Sequence, residues 1–173
     1  MKKLYSWQIG GLVFTLLVGS LLHFLYDWTN SPVVAVFSAV NESTWEHLKL
    51  LFFPAFVFSV IESKFLLKSY PNFWQTKLMG IMTGIVLIPA LFYTYNGAFG
   101  KSPDWLNIVF FLIVVVFIFY LETKIFNEKP STRFRRIFAI ISLCVIAVLF
   151  GVFTFLPPKL PLFIDPITNT YGI

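Results

Sequence analysis

Apolar positions run along this chain in long blocks rather than at the period of a soluble helix or strand. No Asp, Glu, Lys or Arg occurs from 4 to 26, from 78 to 100, from 105 to 121, or from 137 to 158. A bilayer core of about 30 Å takes about 20 apolar residues at 1.5 Å each, and these runs are close to that length. A fifth stretch, Trp45 to Leu67, is broken near its ends by His47, Lys49, Glu62 and Lys64, but its middle, LLFFPAFVFSVI, is uncharged. The pattern predicts an all-α membrane protein, a five-transmembrane-helix bundle in one domain over 1–173. The spans fall at about 4–26, 44–67, 77–97, 104–125 and 136–156, followed by a tail at 157–173.

The connections fit that reading. KSYPNFWQTK, GAFGKSPDW and NEKPSTRFRR are short and rich in breakers, interfacial aromatics or basic residues, and Ser102-Pro103 opens the fourth span. Between the first two spans, SPVVAVFSAV is apolar but too short to cross, which predicts a re-entrant or interfacial segment. Gly80 and Gly84 form a small-xxx-small pair that lets two helices approach closely. Pro54 and Pro89 each remove a backbone donor inside a span, and a kink is expected at each. With no internal repeat, the inverted-repeat transporter design has no support.

Composition sharpens the picture. Of the residues, 58% are hydrophobic and 12% charged, about half the charge of a soluble domain. The apolar run after Lys2 and Lys3 exceeds a signal-peptide core and lacks a small-x-small cleavage site, so it reads as a retained first span. With the N-terminus in the cytoplasm, Lys2, Lys3, Lys64, Lys68, Lys77, Lys124, Lys129, Arg133, Arg135 and Arg136 fall inside. Only Lys49, Lys101 and Lys159 fall outside. This positive-inside bias predicts a multi-pass protein of the cytoplasmic membrane, N-terminus in and C-terminus out. The net charge of +5 therefore reflects membrane orientation, and no nucleic-acid partner is expected. Cys144 is alone in the sequence and reads as a packing residue.

The remaining polarity collects at one end. AVNESTWEHLKLLFFP crowds Asn41, Glu42, Ser43, Glu46, His47 and Lys49 against the second span. Ser43 and Glu46 have capping-box spacing, which accounts for part of the cluster. Glu42, Glu46 and Lys49 follow i, i+4, i+7 spacing, and Ser20, His23 and Asp27 share a face at the end of the first span. In the derived topology both groups lie at the extracytoplasmic end, with pairs Asp27–His23 and Glu42–Lys49 available. Tyr93, Tyr95, Asn96, Asp104 and Asn107 belong to the same end, and the tail is expected to fold back and bring Asp165 and Tyr171 there. Glu62, Glu122 and Glu128 fall inside; Glu62 and Glu122 read as structural helix ends that snorkel, with Arg135 or Arg136 as partners.

Three functions compete. A metal-assisted hydrolase or transferase would use His23, His47, Glu42 and Glu46 as candidate ligands for Zn²⁺ or another divalent metal, with Asp27 available to the same set and Glu42, Glu46 and His47 as catalytic candidates. Asp27, Asn41, Lys49, Asn96 and Asp165 are the ligand-binding candidates. The absence of HExxH, HxxxH and a cysteine pair weakens this reading. An ion- or proton-coupled transport component would use the same acids and histidines as a relay. In a non-catalytic partner-binding or assembly factor the cluster would be a structural network satisfying the re-entrant backbone, with the lipid bilayer, a membrane-protein partner or a second copy as its company.

HFLYDW, NESTWEHLKLLFFP and PLFIDPITNTYG together resemble an uncharacterised family of small bacterial integral membrane proteins, domain of unknown function 6512. The resemblance covers the whole chain and implies a polytopic membrane protein of the bacterial cytoplasmic membrane. It implies no activity. Ceramidase-like membrane hydrolases share only the helical bundle, since their several-histidine pattern is missing.

Overall fold

The computed structural model describes residues 2–127 and 131–173. Glu128 and Lys129, expected on the cytoplasmic side, lie outside the described residues. Six α-helices follow in order: α1 (Lys2–Thr29), α2 (Pro32–Ala35), α3 (Thr44–Leu66), α4 (Phe73–Phe99), α5 (Asp104–Ile125) and α6 (Arg133–Phe155). A single 3₁₀ turn, Pro161–Phe163, follows in the tail. Among the described residues the one β-type contact is an isolated antiparallel bridge, Ile164 to Tyr171.

Four helices, α1, α4, α5 and α6, are long and apolar enough to cross a membrane. Their outward faces are apolar too: Leu17, Val86, Val116 and Val148 are all exposed. A soluble bundle would turn charge outward on those faces. Lipid is the solvent that suits them, since it imposes no cost on exposed aliphatic surface. The helix α3 is of similar length but carries Glu46, Lys49, Glu62 and Lys64, and it sits centrally, packed on α1, α4 and α6. Leu48, Leu51, Phe52 and Ala55 fill the core around it with Ile81, Val114, Ile118, Leu143 and Phe150.

Two glycines make the close approaches possible. A Cβ on Gly84 would stand 2.8 Å from Leu51 Cδ1, and one on Gly80 would collide with the Glu122 carboxylate. The small-residue stripe on α4 thus receives side chains from α3 and α5. Pro54 and Pro89 both lie inside uninterrupted helices. The α4 helix begins at Phe73, so half of the connection expected at 68–77 is helical.

The segment after α1 is one helical turn followed by turns, not a span. Ala35, Ser38 and Ala39 are buried, so it plugs the end of the bundle. The Ser38 hydroxyl donates to the Leu22 carbonyl and accepts from the Tyr26 N–H at 3.1 Å. That one side chain clips the plug to α1. Its buried side rests on protein, while Pro32 and Val33 are exposed.

Candidate metal centre

The plug and the start of α3 are held by a buried polar network. Ser43 is the N-cap of α3 and accepts the Glu46 N–H at 3.4 Å. The reciprocal half of the expected capping box is replaced: the Glu46 carboxylate takes the Val40 N–H at 3.1 Å, while Asn41 Oδ1 takes the Ser43 N–H at 2.9 Å. Asn41 also donates to the Gly172 carbonyl at 2.9 Å, tying the tail to the loop.

Glu46 is turned into the bundle. Its carboxylate meets Lys49 Nζ at 2.5 Å, and the same ammonium donates to the Ala35 carbonyl and to Thr154 Oγ1, each at 2.7 Å. Thr154 Oγ1 in turn lies 3.0 Å from Glu46 Oε1. An ion pair without solvent survives only when its remaining hydrogen bonds are met, and these are. The expected Glu42–Lys49 pair does not form, because Lys49 points to the core on the Glu46 side of α3. Thr154 is a participant that the apolar sequence of α6 gave no reason to single out.

With Glu46 so engaged, Glu42 faces the histidines. His23 Nε2 and His47 Nε2 are 3.2 Å apart. Glu42 Oε1 lies 3.8 Å from His23 Nε2, and Oε2 lies 3.4 Å from His47 Nε2. One ligand atom from each of the three residues falls within 4.8 Å of the others. Ligands at about 2.0–2.1 Å from a tetrahedral zinc would be separated by about 3.3 Å; the His23–His47 edge is close to that, and Glu42 meets the two rings with different oxygens, so one of them must swing inward to complete the site. His47 Nδ1 lies 2.9 Å from the Ser43 carbonyl oxygen. A carbonyl can only accept, so Nδ1 carries the proton and Nε2 is the nitrogen free to ligate.

The side chains of His23 and His47 are 30% and 32% exposed and that of Glu42 is 42% exposed. An open fourth position would therefore face outward, within reach of water. The hydrogen bond from His47, helped by the charge of both imidazoles, holds the Glu42 carboxyl below the usual carboxylate range against its partial burial. That hold operates while the imidazoles carry protons.

The other sequence candidates fall elsewhere. Asp27 is exposed, one helical turn beyond His23 on the same face. Asn96 accepts the Ser102 N–H and donates to the Phe92 carbonyl, closing the α4–α5 turn. Asp165 is buried in the tail's own turn, where it accepts from Ile167 N–H and the Thr168 hydroxyl. The tail does fold back against α3, with the Phe163 ring 4.8 Å from Trp45. Among the described residues, the tail's hydrogen bond to the loop is made by Gly172.

Glu62 and Glu122 also differ from expectation. Both are fully buried and pair with Lys77, not with Arg135 or Arg136, which are exposed. Lys77, expected on the cytoplasmic side, is itself buried. Its spacing with Gly80 and Gly84, i, i+3, i+7, was the available signal that it shares the close-packed face.

An all-helical chain with membrane-span-like helices and a whole-length likeness to one family defines the class. The chain belongs to the family of unknown function DUF6512, whose model matches residues 1–173. No curated protein and no solved structure matches it.

Proposed function

We propose that this is a five-span, single-domain protein of the cytoplasmic membrane, N-terminus in and C-terminus out, and that its extracytoplasmic end binds one divalent transition metal, zinc foremost. The ligands are His23, His47 and Glu42. The fifth span is α3, antiparallel to α1 and carrying its charges at both ends. The observation that supports the metal is the meeting of three ligand atoms from α1, the loop and α3, with the Ser43 carbonyl setting the His47 tautomer.

Two histidines and one carboxylate with a fourth position free is the ligand set of a hydrolytic zinc site. Bound there, zinc would lower the pKa of a water to about 7 and polarise a carbonyl or phosphoryl oxygen. The protein's part is to orient His47 through Ser43 and to hold the loop through Glu46, Lys49 and Thr154. This supports a metal-dependent hydrolase acting at the membrane surface over a relay or an assembly factor. Asp27, one turn outward from His23, is positioned to serve as a base or substrate contact.

Elemental analysis of purified protein tests the reading. Near-stoichiometric zinc is expected in the wild type, and its loss in His47→Ala and in Glu42→Gln. Metal content unchanged by both substitutions would overturn it.

A further inference from the structure

A second group of buried charges lies at the other end of the bundle. Glu62 follows His47 by about four turns of α3, about 22 Å at 1.5 Å per residue. Lys77 Nζ stands 2.6 Å from Glu62 Oε2 and 2.6 Å from Glu122 Oε2. Gln8 Nε2 donates to Glu62 Oε1 at 3.1 Å. The three charged side chains are at most 1% exposed. The rings of Phe73, Phe119 and Phe126 complete the wall, 5.3–5.6 Å from the ammonium.

Two counts at this cluster come out one short. Two carboxylates against one ammonium leave a net charge of −1 where no water screens it, and an uncompensated buried charge is far costlier than one in water. The hydrogen bonds are also short of a donor: among the described residues Gln8 Oε1 is buried without a partner, while Glu62 Oε2 is met only by the Lys77 ion pair. A single proton on a carboxylate supplies both the missing charge and the missing donor.

We propose that Glu62, Lys77 and Glu122, with Gln8, form a proton-binding site that holds one proton at neutral pH. The proton belongs to the Glu62–Glu122 pair as a unit, since Lys77 stands equally close to both carboxylates. The titratable groups facing Glu122 are Glu62 from α3 and Lys77 from α4; α1 contributes uncharged Gln8. Lys64, Lys124, Arg135 and Arg136 are exposed. A proton suits the site better than a metal cation does. Lys77 already occupies the space between the carboxylates, and at Gly80 even a methyl group would collide with Glu122. Binding adds H⁺ from water to a carboxylate oxygen, with no other bond made or broken. Loss of that proton would leave the anionic cluster at the junction of α1, α3, α4 and α5.

Infrared spectroscopy of the full-length protein in lipid nanodiscs, in H₂O and D₂O at neutral pH, tests this. The wild type is expected to show a deuterium-sensitive C=O band of a protonated carboxylic acid. Glu122→Gln and Glu62→Gln each remove the surplus negative charge, so the band is expected to vanish in either variant. Because the native state holds a proton that the unfolded state has released, wild-type melting temperature should fall as pH rises from about 6 to about 9. The fall should be smaller in whichever Gln variant folds, leaving only the part contributed by His23 and His47. Absence of the band in the wild type, its survival in a folded Gln variant, or stability that follows sodium concentration instead of pH would overturn the proposal.

Discussion

His23 Nε2 and His47 Nε2 face each other across 3.2 Å, one from the end of α1 and one from the start of α3. Two imidazole nitrogens that close need a hydrogen or a cation between them, and the His47 proton is committed on the other side of its ring to Ser43. These are the two histidines of the chain. The structure spends both on one point, beside a carboxylate.

Metal should therefore act as a stabilising ligand. A ligand that binds only the native state adds about 2.7 kcal/mol when present at 100 times its dissociation constant. Micromolar zinc is expected to raise the melting temperature of metal-stripped wild type, and chelator to reverse it. In His23→Ala and His47→Ala the shift should vanish. Differential scanning fluorimetry reads this directly.

Protons should compete with the metal, and the histidines set the range. Imidazole ordinarily titrates near 6.5, and ligands must lose their protons to bind. Glu42, held below the usual carboxylate range, stays anionic throughout that interval and protonates only at lower pH. Its own contribution to stability is present above that point and lost as pH falls through it. Zinc affinity measured against pH should thus fall steeply below about 6.5, approaching about 100-fold per unit where both rings are protonated. In Glu42→Gln affinity should be weak at every pH.

The Glu46–Lys49–Thr154 network should behave as a positioning device. Lys49→Met strands a buried carboxylate and is expected to cost about 3–5 kcal/mol. The double variant Glu46→Leu/Lys49→Met should recover much of that stability while leaving the loop less firmly held, so zinc affinity should remain below wild type. Chemical denaturation and metal titration on the same preparations separate the two effects.

Two glycines of α4 should respond oppositely to alanine. Gly80→Ala drives a methyl into the Glu122 carboxylate and is expected to cost about 1–3 kcal/mol, the usual penalty for overpacking. Gly97→Ala meets nothing within 4 Å and should be neutral or gain up to about 1 kcal/mol from helix propensity. Thermal melts of the two variants check the pair.

Much of this was legible in the residues. Charge-free runs of bilayer length located the long helices to within a few residues, because lipid-facing and core-facing positions are both apolar. The alternating topology put His23 and His47 at one end of the bundle, and the packing of α1 on α3 brings them together. Which acid joins them was not legible. Glu42 and Glu46 are one turn apart, and the choice depends on Lys49 and Thr154 capturing Glu46 from inside the bundle. The pairing of Lys77 was not legible for a similar reason. A lysine near a span end looks the same in sequence whether it reaches water or sits between two carboxylates, and only the meeting of four helices decides.

The central claim is tested most directly by X-ray absorption at the zinc edge on zinc-loaded full-length protein. The account predicts one zinc per chain with four nitrogen or oxygen neighbours at about 2.0–2.1 Å and multiple scattering from two imidazoles, one of them lost in His47→Ala. Zinc that fails to load, or a coordination shell with no imidazole, would contradict it.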